Sequence, residues 1–162
     1  MMAGSIQVRG ARVDDVPCIL GFIRELAEFE RLSDRVLATE ALLRDCLFGP
    51  HIYAEALIAE LDGAAAGFAL YFHSYSTFLA RPGIYLEDLY VRAGARGHGV
   101  GLALLKAVAQ LAVERGCARI DWAVLDWNIE AIRFYERIGA RPESQWSLYR
   151  LTGDALSDFA RR

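Results

Sequence analysis

Cysteine is scarce in this sequence, and the three present, Cys18, Cys46 and Cys117, are odd in number and far apart. No Cys-x-x-Cys spacing occurs, so neither a disulfide framework nor a metal site is indicated. Reduced thiols in a cytosol are the natural expectation. Long apolar runs are also missing. A membrane-spanning helix needs about 18 or more apolar residues with few charges. The longest candidate here, Ala54 to Phe72, is broken by Glu55, Glu60 and Asp62. The N-terminal stretch MMAGSIQVRGARVDD has no apolar signal core and meets Arg9 and Arg12 early. A cytoplasmic protein with no membrane partner is expected. Basic residues are outnumbered, 18 Lys and Arg against 21 Asp and Glu, for a formal net charge of −3. That balance argues against a general nucleic-acid binder, which needs a basic stripe against phosphates. It suits a small cationic partner.

What is present is a chain of 162 residues with 54% apolar side chains, enough for one well-packed domain over residues 1–162. No internal repeat or low-complexity segment occurs. Ser5 to Arg9 alternates like a short strand. Asp14 or Asp15 can cap a helix with Pro17 in its first turn, running to about Glu30, with Val16, Ile19, Ile23 and Leu26 on one face. Thr39 can cap a second, short helix through Cys46, stopped by Gly49-Pro50. Ile52 to Leu61 and Ala64 to Ser74 read as strands joined by Asp62-Gly63, a strong hairpin signal. Ile84 to Val91 is a further strand. Gly101 to Arg115 is helical, with Leu102, Leu105, Val108, Ala109 and Ala112 facing inward. Ala118 to Leu125 is a strand, Asn128 caps a helix ending at Ile138, and Gly139 stops it. Gln145 to Leu151 reads as a last strand, followed by a helix from about Asp154. The order implies a mixed α/β sheet with a crossover in its second half.

The stretch Arg96-Gly97-His98-Gly99-Val100-Gly101-Leu102 joins the strand ending at Val91 to the helix that follows. Glycine lets backbone amides approach a ligand closely, and a helix start adds free N–H donors and the positive end of its dipole. The combination suits a phosphate, with Arg96 as a cation at the rim. The Walker pattern fails because Gly101 is followed by Leu102 and Ala103 rather than Lys and Ser or Thr. The dinucleotide fingerprint fails because Leu102 stands where its third glycine belongs. The spacing that fits is Arg-x-x-Gly-x-Gly, as Arg96, Gly99 and Gly101; the plainer alternative is a glycine-rich turn into a helix.

Arg96-x-x-Gly99-x-Gly101 after the strand LEDLYV resembles the acetyl-CoA pyrophosphate motif of the GCN5-related N-acetyltransferases (GNAT superfamily). LDWNIEAIRFYERIGA resembles the later part of the same core. Tyr85-Leu86-Glu87-Asp88, the glycine loop, Trp127-Asn128, Phe134-Tyr135 and Gly139-Ala140 together look most like the diamine (spermidine/spermine) and thialysine acetyltransferase branch. The resemblance runs from Ile6 to about Leu151. It implies a central, mostly antiparallel sheet with a parallel, splayed strand pair and flanking helices, acetyl-CoA as cofactor with no metal, and a homodimer. It also implies that Leu89, Tyr90 and Val91 hold the pantetheine arm through backbone groups. Arg96, Gly97, His98, Gly99, Val100, Gly101 and Leu102 would then take the diphosphate, and Asn128, Ile129, Ala131 and Tyr135 would also contact the cofactor. His98 could equally be a loop spacer.

Amine acetylation by a thioester needs a neutral amine, a donor for the oxyanion and a proton for the departing thiolate. A primary alkylamine titrates near ~10 and arrives protonated, so a carboxylate near it can attract the cation and accept its proton. Glu87 and Asp88 adjoin in a strand and should point to opposite faces; the resemblance selects Glu87. It also makes Tyr135 the proton donor to sulfur, although spacing alone describes a half-buried tyrosine beside Phe134 and Ile138. Phe29, Glu30, Asp121, Trp122 and Ala123 are the remaining acceptor-site candidates. Trp122 and Trp127 could as well be packing residues. Phe29 stands where the branch has a tyrosine, the segment Pro142 to Trp146 is shorter than in the branch, and Ile129-Glu130 lacks its proline. The substrate therefore stays open among polyamines, diamines and diamino acids such as thialysine. Rival readings are a peptide N-terminal or protein lysine acetyltransferase and a non-catalytic acyl-CoA sensor.

Overall fold

The computed structural model describes residues 4–162. They form two compact units, one ending at Ala123 and one running from Val124 to Arg162. The first unit holds β1 (Ile6–Gly10), α1 (Val16–Phe29), α2 (Glu40–Phe48), β2 (Glu55–Leu61), β3 (Ala64–Ser76), β4 (Arg81–Val91), α3 (Val100–Glu114) and β5 (Ile120–Asp121). The strands make one sheet in the order β1-β2-β3-β4-β5. Every neighbouring pair is antiparallel except β4 with β5, which are parallel. The expected mixed sheet with one parallel strand pair is what forms.

Local chemistry explains most of these elements. The β2–β3 turn places Asp62 at φ 52° and Gly63 at φ 81°, two consecutive left-handed residues of the kind a tight hairpin demands and Asp-Gly tolerates. Thr39 caps α2, its Oγ1 accepting from the Leu42 amide at 3.2 Å. Asp15 occupies the N-cap of α1 but makes no capping bond to that helix. Its carboxylate instead accepts two bonds from Arg9, at 2.7 and 2.9 Å, and one from the Arg12 amide at 2.7 Å. A bidentate, charge-assisted pair outcompetes a neutral amide for the same oxygens. It also holds the Asp15 carboxyl below its ordinary range.

One face of the sheet meets α1 and α2. Ile19, Phe22 and Leu47 from these helices join Ala56, Ile58, Phe68, Leu70 and Tyr90 in a single buried cluster. The Phe22 and Phe68 rings stack with centroids 5.4 Å apart. Each fully buried ring or aliphatic side chain in such a cluster contributes roughly 1.5–3 kcal/mol. On α3 the buried residues are Val100, Leu104, Leu105, Val108 and Ala112. Leu102, expected to face inward, is 51% exposed. The helix starts at Val100, so the buried row runs at fourfold steps from there and leaves Leu102 outside it.

Gly67 on β3 lies opposite Val91 on β4. A Cβ there would sit 2.5 Å from the Tyr90 carbonyl oxygen and 3.2 Å from Val91 Cα. Because the obstacle is backbone, Gly67→Ala is expected to cost about 1–3 kcal/mol in urea unfolding. A midpoint unchanged from wild type would show that the two strands can part without penalty.

Two strand expectations need correction. Ala118 to Leu125 pairs only at Ile120 and Asp121, opposite Ile84 and Tyr85. The β3–β4 register shifts directly beyond that point, between Leu70 and Tyr71. Such a bulge bends its strand, and here the β4–β5 ladder has already stopped. In the second unit, Gln145 to Leu151 is not a strand. Its β-forming side chains find no ladder partner among the described residues, and Trp146, Leu148 and Tyr149 are 76%, 82% and 92% exposed. Propensity without a neighbouring strand does not make one. That unit holds α4 (Ile129–Arg137) and α5 (Gly153–Ala160). Gly139, at φ 94°, closes α4 as expected.

Candidate active site

The loop between β4 and α3 has the geometry that its glycines suggest. Gly97 and Gly99 take φ of 79° and 87°, values that an L side chain resists. Gly101 is ordinary helix, and a Cβ there would meet Val91 Cγ2 at a comfortable 3.6 Å. Only two of the three glycines are therefore needed for conformation. Gly99 caps α3 without a side-chain bond. The Ala103 amide is the first to bond back, to the Gly99 carbonyl at 3.0 Å. The amides of Val100, Gly101 and Leu102 belong to the first turn, which has no intrahelical acceptors, and they stand at the positive end of a 15-residue helix. His98 Nδ1 donates to the Arg96 carbonyl at 3.0 Å, bracing the turn from within. This cradle fits a diphosphate.

Beside it, β4 offers an open edge. Its pairing with β5 ends at Tyr85, so the stretch through Leu89, Tyr90 and Val91 has backbone groups on that side to offer an extended ligand. The Val91 carbonyl already accepts from Arg96 Nε at 3.0 Å.

Glu87 is the residue left over where the β3–β4 register shifts, since Leu70 pairs with Asp88 and Tyr71 with Leu86. Strict alternation fails at this point, and Glu87 has no partner of its own in the β3–β4 ladder. Glu87 is exposed and Asp88 half-buried. Burial, then the charges of Glu87 and Glu30, push the Asp88 carboxyl up to about 7. Glu30, just past the end of α1, is raised by burial as well. Glu87 and Glu30 thus both act on Asp88, whose proton affinity lies near neutrality. The family resemblance selects its neighbour Glu87 instead. A bulge cannot be seen in a sequence that alternates acceptably either way, although the adjacent Glu-Asp pair in an apolar strand is a visible signal.

The other acceptor-site candidates are more dispersed. Phe29 is the last residue of α1 and 39% exposed. Asp121 on β5 is paired with Arg119 at 2.7 Å, which offsets its charge. Trp122 is half-buried and Ala123 exposed. In the second unit, Asn128 Oδ1 accepts from the Ala131 amide at 3.2 Å and caps α4 as expected. Ile129 opens that helix and is 49% exposed. Tyr135 is half-buried on α4, its ring tilted against Phe134 at 5.3 Å. Trp127 is 53% exposed.

Comparison with known proteins agrees with the mixed sheet. The model of the acetyltransferase (GNAT) family matches residues 21–140. The chain is 40% identical to a thialysine N-epsilon-acetyltransferase of Mus musculus, covering 98% of this chain and 99% of the relative. It is 34% identical to an L-ornithine N5-acetyltransferase of Arabidopsis thaliana, covering 93% and 86% respectively. Among solved structures, an integron cassette protein from the mobile metagenome of V. cholerae superposes with a TM-score of 0.81 at 27% identity over the whole of both chains. With its glycine loop, its parallel strand pair and relatives matched along nearly its whole length, the chain belongs to the GNAT family of acetyltransferases.

Proposed function

We propose that this protein transfers the acetyl group of acetyl-CoA to a primary amine of a small cationic substrate: a polyamine, a diamine or a diamino acid such as thialysine. The observation that carries the substrate class is the group of interacting carboxylates, Glu30, Glu87 and Asp88, on the unit that bears the glycine loop. Uncompensated negative charge beside a cofactor cradle favours a cation over a neutral or acidic acceptor. The named activities of the mouse and plant relatives, on thialysine and ornithine, support the same class.

In the proposed chemistry the bound ammonium loses a proton to Asp88 or Glu87 through water. The freed amine nitrogen bonds to the thioester carbonyl carbon as the carbon–sulfur bond breaks. Tyr135 gives its proton to the departing sulfur, and the proton the nitrogen sheds on becoming an amide passes to solvent, from which Tyr135 is reprotonated. Arg96 and the loop from Gly97 to Leu102 hold the diphosphate, Leu89, Tyr90 and Val91 the pantetheine arm, and Asn128, Ile129 and Ala131 further parts of the cofactor. Phe29, Glu30, Asp121, Trp122 and Ala123 are assigned to the acceptor side. A family model that spans residues 21–140 supports one acetyltransferase domain. The family resemblance is the ground for proposing a homodimer, which sedimentation would test.

The experiment is a screen of polyamines, diamines, diamino acids and peptides, read by thiol release from acetyl-CoA. Turnover is expected with small diamines or diamino acids and near background with peptides. Turnover with peptides alone would reverse the substrate assignment, and coenzyme A binding without any turnover would point to a sensor.

A further inference from the structure

Arg96 belongs to the loop, but its side chain is held from elsewhere. The guanidinium lies 4.9 Å from the centre of the Phe29 ring and 5.7 Å from that of Tyr90. Its Nε donates to the Val91 carbonyl. One side chain therefore ties together the end of α1, the end of β4 and the glycine loop. No carboxylate forms an ion pair with Arg96 among the described residues. The side chain is also exposed. A long, exposed arginine normally populates many rotamers, and fixing it on a ligand costs conformational entropy at the moment of binding. Here aromatic rings and a carbonyl restrict it beforehand while leaving its charge uncancelled. A guanidinium stacked on a ring keeps its in-plane donors available to phosphate oxygens.

We propose that Phe29 is a positioning residue for cofactor binding: its ring presets the Arg96 guanidinium at the glycine loop. This rests on the reading of that loop as the diphosphate site. It reassigns Phe29, placed above with the acceptor residues, to the cofactor side. The neighbouring Glu30 keeps its acceptor role. An aromatic ring is what the position needs, so a tyrosine there preserves the arrangement and an aliphatic side chain does not.

Calorimetry with coenzyme A on the full chain tests this without any turnover. Phe29→Leu is expected to weaken coenzyme A binding about two- to fivefold, the range of an exposed cation–π contact. Phe29→Tyr should stay within about twofold of wild type. In an Arg96→Gln background, Phe29→Leu should add nothing, because its partner is already gone. Steady-state kinetics should show a raised KM for acetyl-CoA in Phe29→Leu and an unchanged KM for the amine. A raised amine KM with unchanged coenzyme A affinity would overturn the proposal and return Phe29 to the acceptor site. An equal loss of affinity in the Arg96→Gln background would also overturn it, since the effect would not pass through Arg96. Absence of coenzyme A binding by the wild-type protein is a different result, removing the diphosphate reading itself.

Discussion

Tyr135→Phe is expected to lower kcat by about 10²-fold or more and to leave coenzyme A affinity within about twofold of wild type. The substitution removes one hydroxyl. The ring that packs against Phe134 at 5.3 Å stays, so the fold of α4 gives no reason for a wider effect. The physical cause is the leaving group. A departing thiolate benefits from a proton while the carbon–sulfur bond breaks, and a phenol protonated at neutral pH can supply one. The loss should shrink as pH rises, because a thiolate stable in solution needs less help to leave. Measuring kcat for both proteins across pH 6–9 checks the size and the trend together. Equal turnover across that range would remove Tyr135 from the proposed chemistry.

Asp88→Asn is expected to stabilise the protein while disabling it. The carboxyl titrates at about 7 in the folded chain against an ordinary 3.8, with burial as the first cause and the charges of Glu87 and Glu30 behind it. The sign follows from proton counting. Between those two values the folded state keeps a proton that the unfolded chain has released, so stability falls as pH climbs through the window. Below about pH 4 both states are protonated and the carboxyl costs nothing. Above pH 7 a buried charge is held at a cost of up to about 4 kcal/mol. Asparagine has nearly the same shape and no charge. Its Tm should match wild type at pH 4 and exceed it by several degrees at pH 8. Amine acetylation at neutral pH should fall by about 10²-fold if Asp88 is the proton acceptor. A variant no more stable at pH 8 than wild type would show that the carboxyl is not buried as described. Retained turnover, with loss in Glu87→Gln, would assign the relay to Glu87.

The sequence made some of this legible and hid the rest for identifiable reasons. Asp62-Gly63 and Thr39 act locally, so their hairpin and cap could be read directly. The glycine loop was legible because Gly97 and Gly99 need a backbone state that few other residues accept. Long-range competition was not legible. Asp15 looks like a cap until Arg9, on another element, takes both its oxygens. The stretch from Gln145 to Leu151 has strand-forming side chains but pairs with no strand among the described residues. The contact of Arg96 with Phe29 spans elements 67 positions apart and leaves no trace in either segment. The prominence of Asp88 depends on a bulge and on burial, and neither is written in the order LEDLYV.

That bulge makes β4 a strand written in two reading frames. Residues before Glu87 address the neighbours one way, and residues after it address them the other way. Deleting the single residue Glu87 would bring Leu86 and Asp88 side by side against Tyr71 and Leu70, which already adjoin, and the two frames would join in phase. The inserted position is what lets Leu86 and Asp88, two apart in the chain, answer to opposite faces of the sheet. Glu87 is therefore a spacer that the ladder could close over, and its own side chain is the part of the bulge free to serve something else.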